Sequence, residues 1–288
     1  MIQSRSVDII KEIEAFPSIP SAAAKILSLL DDPKTSAEQI GEILRYDPGL
    51  TANILKLTNS SYFGLASKVG SVNQALVLLG WKKLAQLILS ACASVVMVKP
   101  VPGYDLQPGE LWRHSIAVSV VAEGLSKELG ITGVDEVFTA ALLHDVGKLV
   151  LGGFIQENAS SVDDEAMRGV SFEKVERRLF GTDHAEIGAQ ILTNWSFPEA
   201  IVSAVRWHHD PDAADETSNL IDIVHIANVL CLMIGVGIGR EGLQYTPSET
   251  VTQRLELKGE QLEMVAAHAI GWVEELSESF SVHFEEKF

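Results

Sequence analysis

The chain has 288 residues, 47% hydrophobic and 21% charged, which suits one large domain or two smaller ones and excludes a disordered chain. Its net charge of −17 is unevenly spread, with ten basic and eight acidic residues in 1–100 against 12 and 31 in the remainder; an acidic body repels phosphate backbones and argues against a nucleic-acid partner. No apolar run reaches the roughly 18 residues of a membrane span, and the opening MIQSRSVDIIKEIEAF lacks a signal-peptide core, so a cytoplasmic protein without membrane association is expected.

Helix signals dominate in chain order. Ser36 with Gln39 makes a capping-box pattern ahead of Ile40, Ile43 and Leu44, and Pro48 is expected to stop that helix. Between Gly49 and Pro100 there is no acidic residue, while Lys56, Lys68, Lys82, Lys83 and Lys99 are present. That stretch reads either as a docking face or as a helical core with a few solvated lysines. Ser71 with Gln74 repeats the cap before Ala75, Leu76, Leu78 and Leu79, and Leu84, Leu87, Ile88 and Ala91 continue as an i, i+3, i+4, i+7 stripe. Cys92 and Cys231 each sit in an apolar stretch and read as buried free thiols. Pro and Gly in residues 99–103 mark a turn or linker.

A further helix is expected over 111–129, closed by Gly130 in the C′ position. Others follow over 134–151, 171–180, 185–195 and 198–207, then around 251–257 and 260–276. No alternating strand pattern occurs, so the fold class is all-α. The expected organisation is an N-terminal helical subdomain (1–100), a second helical subdomain (101–235) and C-terminal helices (236–288) packing on the bundle.

Five histidines mark the middle of the chain. His114, His144, His184 and His208 are 30, 40 and 24 residues apart, and His209 follows directly. Such residues meet only if several helices turn these faces inward, which an α-bundle does. Imidazole with carboxylate suits Fe, Mn, Zn, Ni or Co. His144 and Asp145 interrupt Phe138, Ala140, Ala141, Leu142 and Leu143 and precede Val146, Leu149, Val150 and Leu151. A buried carboxylate is costly unless paired or metal-bound, so the pair reads as metal ligands or as a His–Asp–Lys network. Adjacent helical residues point about 100° apart, yet the two side chains can converge on one ion or on two neighbouring ions. A bound metal would lower the pKa of a coordinated water. Lys148, one turn on, is either a phosphate binder near the pocket mouth or a solvated helix lysine, and Gly147 would admit a close approach. His209 and Asp210 are either part of the site or a polar helix end; His225 reads as core, and His268 and His283 show no partner pattern.

These residues carry a resemblance. LLHDVGK (142–148) resembles the signature of the HD superfamily of metal-dependent phosphohydrolases, and HAEIGAQIL (184–192) with WHH (207–209) resembles its HD-GYP branch, which acts on cyclic dinucleotides. FPSIPSAAAKILSLLDDPKTSAEQIGEILRYDPGLTANILKLTNSSYFG (16–64) and SVNQALVLLGWKKLAQLIL (71–89) closely resemble the HDOD family, the HD-related output domain of bacterial signalling. The resemblance runs from about residue 12 to at least 235. It implies an HD-like bundle and a regulatory role with a protein partner. HDOD domains have often lost the catalytic residues, but here His114, His144, Asp145, Lys148, His184, His208 and His209 stand at matching positions. It also implies a mono- or binuclear divalent metal site, with Fe or Mn foremost. One departure stands out: a segment that usually reads Ala-Asp is Ala227-Asn228, and a neutral amide is a weaker ligand that cannot act as a base. Asp222 differs from Asn228 in helical phase by about 120° and is a poor substitute. Three functions follow: a metal-binding regulatory module that can also take a nucleotide ligand; an active phosphodiesterase in which Asp145 and Lys148 are catalytic; or a scaffold with an empty pocket.

Overall fold

The computed structural model describes residues 2–18, 21–30, 39, 48–65, 67–166, 169–240 and 245–267. Helices dominate them, and no strand occurs among the described residues beyond one isolated bridge between Val101 and Leu106. The fold is all-α. Ser36 of the expected Ser36/Gln39 cap, much of the helix expected after 260, and His268 and His283 lie outside the described residues.

The chain divides into two compact units, Met1–Pro17 with Met97–Ile270, and Ser18–Val96 with Gly271–Phe288. Packing puts the first helix (α1, Ile2–Ala15) and residues 236–270 in the unit that carries the clustered histidines.

In the second unit the helices are α2 (Ser21–Leu30), α3 (Pro48–Thr58), α4 (Val72–Leu79) and α5 (Trp81–Met97), the last running on to the unit's edge. Pro48 opens a helix, because a first-turn proline forfeits no helical hydrogen bond; apart from Gln39, the helix expected ahead of it lies outside the described residues. Ser71 Oγ accepts from Gln74 N at 3.2 Å, the cap that the Ser–x–x–Gln spacing predicts, while Gln74 Oε1 accepts from Gly70 N at 3.0 Å, so the return bond falls on the residue before the cap rather than on Ser71 itself. Leu84, Leu87, Ile88 and Ala91 are all buried. Asn59 clips the loop after α3: its amide donates to Leu55 O and Val69 O and its oxygen accepts from Val69 N.

In the first unit, α6 (Glu110–Glu128) packs against α7 (Val137–Leu143) and α13 (Asn219–Met233). Around these lie α8 (Lys148–Glu157), α9 (Ala159–Ala166), α10 (Phe172–Phe180), α11 (His184–Asn194), α12 (Glu199–Trp207) and α14 (Glu249–Arg254). Val137–Glu157 is apolar and long enough on composition to pass for a membrane span, but 83% of its most apolar stretch is buried, so the fold itself uses that apolarity.

The single helix expected over 134–151 is divided. Between α7 and α8 the turn at His144–Gly147 winds tighter: Val146 N donates to Leu143 O at 3.1 Å, Lys148 N to Asp145 O at 3.0 Å and Leu149 N to Val146 O at 3.2 Å, a three-residue repeat. A Cβ on Gly147 would overlap the His184 carbonyl and lie 2.7 Å from Gly188 N. Main chain therefore touches main chain here, and this approach sets Asp145 beside the first residue of α11.

Candidate metal centre

Asp145 is the hub. Its side chain is fully buried, and four imidazoles point their Nε2 atoms at it. Oδ2 lies 3.5 Å from His114 Nε2 and 3.3 Å from His144 Nε2; Oδ1 lies 3.4 Å from His184 Nε2 and 3.8 Å from His208 Nε2. His209 Nε2 is 2.9 Å from His184 Nε2. Two donor sets result, each with its ligand atoms within 4.8 Å of one another: an inner set of His114, His144 and Asp145, and an outer set of Asp145, His184, His208 and His209. The inner set is wholly buried, while His209 is partly exposed and stacks on Tyr245 with ring centroids 4.8 Å apart. All six expected ligand residues come together, from α6, the α7–α8 turn, the start of α11 and the end of α12.

The hydrogen bonds fix which nitrogen of each ring is free. His114 Nδ1 faces Val236 O at 2.8 Å, His144 Nδ1 faces Ala141 O at 2.7 Å, and His208 Nδ1 faces Val205 O at 2.7 Å. Carbonyl oxygens only accept, so each Nδ1 carries the proton and donates it. Each Nε2 is then a bare lone pair, aimed at a carboxylate that also only accepts. His144 Nε2, His208 Nε2 and Asp145 Oδ1 are buried without hydrogen-bond partners. Acceptors crowd acceptors, an arrangement that a divalent cation resolves. The donor set fits such an ion: neutral imidazole Nε2 with Nδ1–H anchored behind it, around one carboxylate.

The titration behaviour agrees. Burial pushes the His114 pKa down to about 4, against the pull of Asp145. Burial and then the neighbouring imidazoles also hold His208 and His209 well below the usual histidine value. Burial alone would raise Asp145, but its interactions with His144 and Lys148 outweigh it and keep the carboxyl well below its ordinary value. His184 differs: burial disfavours its charge, yet the Glu176 carboxylate prevails and lifts it to about 9. A protonated His184 donates from Nε2 to His209 Nε2, which accounts for their 2.9 Å contact.

Lys148 stands neither in solvent nor at a mouth. It is 3% exposed, its Nζ donates to Asp145 Oδ2 at 2.7 Å, and it lies 5.3 Å above the Tyr104 ring. Asn228 Oδ1 is placed 3.0 Å from His114 Nε2. With that nitrogen unprotonated, the amide turned by half a rotation donates an N–H to it, the two orientations having the same shape. Asp222 is remote from the hub, gripped by Arg254 Nε at 2.8 Å and Nη2 at 2.6 Å. His225 is buried: its Nδ1 donates to His208 O at 2.8 Å and its Nε2 accepts from Ser248 N at 3.0 Å, so it steadies the main chain of a ligand. Asp210 is exposed.

Sequence reasoning missed Glu176 and Tyr104. Glu176 is buried; its carboxylate accepts from His184 Nδ1 at 2.8 Å and His184 N at 2.9 Å, and from Tyr104 Oη at 2.6 Å. This is the carboxylate–histidine arrangement that orients metal-ligating rings. The signal was a glutamate on the inner face of FEKVERRLF, masked there by the charged residues around it.

Residues 16–211 match the family model of the HDOD domain. An uncharacterized protein of Treponema pallidum strain Nichols is 26% identical over 227 residues; the match covers 78% of this chain and 44% of that relative, so the chain spans less than half of its length. Two crystal structures share the fold. An HDOD domain protein of unknown function from Geobacter sulfurreducens has a TM-score of 0.76 at 24% identity, covering 97% of this chain and 98% of its own. A candidate phosphohydrolase from Shewanella amazonensis SB2B has a TM-score of 0.75 at 24% identity, covering 94% and 97%. With the family match extending over most of the chain and the all-helical fold shared end to end, the protein belongs to the HDOD domain family.

Proposed function

We propose that this HDOD protein is a signalling module whose HD-type pocket binds divalent transition metal, Fe or Mn foremost, and whose ligand state is read by a protein partner. The supporting observation is the trio of buried acceptors without partners, Asp145 Oδ1, His144 Nε2 and His208 Nε2. Each would cost about 1–3 kcal/mol if left unmet; a cation in the outer donor set would meet Asp145 Oδ1 and His208 Nε2, and one in the inner set would meet His144 Nε2. Asp145 is the shared ligand, Lys148 keeps it ionised, and Glu176 with Tyr104 orients His184. When bound, a divalent ion supplies Lewis acidity toward phosphate oxygens and lowers the pKa of a water it holds. The test is metal analysis of protein purified with Fe or Mn present: at least one equivalent should be retained, and His208→Ala should release it. No retained metal under either condition would favour the empty scaffold.

A phosphodiesterase or phosphohydrolase is the second reading, favoured by one observation: Asp145 belongs to both donor sets, as a bridging carboxylate would. There Asp145 and Lys148 would be the catalytic groups. A screen on cyclic dinucleotides, cyclic mononucleotides and nucleoside phosphates tests it; Asp145→Ala should abolish any turnover, and turnover surviving that change removes the assignment. For the partner, charge reversal at Lys82 and Lys83 should weaken binding, and unaltered binding would place the docking face elsewhere.

A further inference from the structure

The two donor sets are not equally ready. In the outer set, Asp145 Oδ1 and His208 Nε2 have no hydrogen-bond partner, and His184 and His209 hold each other through Nε2. The inner set is closed. Lys148 takes Asp145 Oδ2 at 2.7 Å, and the Asn228 amide takes the lone pair of His114. Only His144 Nε2 is left unmet there.

Charge separates the sets further. The fixed charges around the hub are the carboxylates of Asp145 and Glu176 and the ammonium of Lys148. Two further buried carboxylates, Asp183 next to His184 and Asp222 away from the hub, are each matched by an arginine, Arg177 and Arg254. Ligating imidazoles are neutral, so the pocket's own charge is one negative. A first divalent ion leaves it one positive, and a second would leave it three positive in a region walled off from water. Asn228 contributes no charge to offset this. Unbalanced buried charge costs several kcal/mol per ion. A phosphate dianion entering with the second metal restores the balance and gives Lys148 a new partner once it releases Asp145.

We propose that the pocket binds one divalent ion through Asp145, His184, His208 and His209, and admits a second at His114, His144 and Asn228 only together with a phosphate group, so that metal stoichiometry reports the phosphorylated ligand. This rests on the metal-binding reading above and gives its ligand a chemical class. By linkage, metal and phosphate must strengthen one another by the same factor.

The experiment is a Mn2+ titration of chelator-stripped protein, read by metal content and by electron paramagnetic resonance, in chloride buffer and with inorganic phosphate at equal ionic strength. One equivalent is expected in chloride and two in phosphate, with the second site tightened about tenfold or more. Asn228→Asp should take two equivalents in chloride alone, while Asn228→Ala should take one. Phenyl phosphate serves as an ester probe: a response equal to that of inorganic phosphate identifies an esterified phosphoryl group as the ligand, and a response confined to inorganic phosphate identifies the free ion. Two tight equivalents in chloride, or one equivalent regardless of phosphate, overturns the proposal and leaves the metal-binding reading intact. No binding in any buffer overturns that reading instead.

Discussion

A ring that gives its Nδ1 proton to a main-chain carbonyl has only Nε2 left to offer, and at His114, His144 and His208 that atom faces the one carboxylate at the hub. His184 departs from this pattern because its Nδ1 partner is the Glu176 carboxylate, which lifts its pKa to about 9. Below that value the metal-free ring carries two protons, and ligation must displace the one on Nε2. Metal uptake at pH 7.5 should therefore release about one proton from this residue, and the release should fade as pH rises past about 9. Calorimetry in buffers of different ionisation enthalpy measures it. Glu176→Gln should remove most of the release and weaken binding by about 10–100-fold. An undiminished release in that variant would show that Glu176 does not set the proton on His184.

At the scale of elements, the hub depends on how closely the α7–α8 turn meets α11. Gly147→Ala puts a methyl group into the His184 carbonyl, and neither partner is a flexible side-chain end that can yield. Destabilisation of about 3 kcal/mol or more is expected, with metal binding weakened in whatever folds, measured by denaturant melts and metal content. Gly153→Ala, where nothing lies near the added methyl, is the control and should be near neutral. Farther from the hub, Arg254 on α14 holds Asp222 on α13 with two bonds and Asp212 with a third. Asp222 is buried, while about a quarter of the arginine side chain is exposed. Removing it strands a buried carboxylate in a partly wet setting, so Arg254→Ala should cost about 2 kcal/mol. Adding Asp222→Asn to that variant should recover most of the loss, and a double variant no better than the single one would locate the effect in lost packing.

For the whole molecule, the metal-free protein should be acid-labile. The folded state holds His114 near 4, and His208 and His209 low as well, whereas an unfolded chain would protonate them at ordinary values. Between about pH 6.5 and 4 the unfolded state binds more protons, so stability falls as pH falls through that window. Asp145, depressed below its ordinary value, adds a loss at still lower pH. His184 runs the other way, stabilising below 6.5 and losing that contribution toward 9, and it offsets one of the three. Thermal melts of stripped protein should therefore drop from pH 7 to pH 5. Saturating Mn2+ at pH 7 should raise the midpoint, since a ligand at 100 times its Kd stabilises by about 2.7 kcal/mol. A midpoint indifferent to both pH and metal would contradict the arrangement of protons described here.

The sequence by itself determined the all-helical class, from the apolar period and the caps, and it singled out the residues that can ligate, because a His-Asp pair inside an apolar helix has few other uses. The Ser71 cap on Gln74 and the Gly130 helix end were legible for the same reason: their physics is local and spans three or four residues. Tertiary structure alone decided the remainder. The break at His144–Gly147 arises from contact with α11, forty residues away, which no local period records. Lys148 is buried because α8 turns it toward Asp145 and Tyr104, and Glu176 matters because α10 lies alongside the start of α11. The division of six ligands into an open outer set and a closed inner set depends on the Lys148–Asp145 and Asn228–His114 contacts, the second of which joins residues 114 positions apart and leaves no local trace in the sequence.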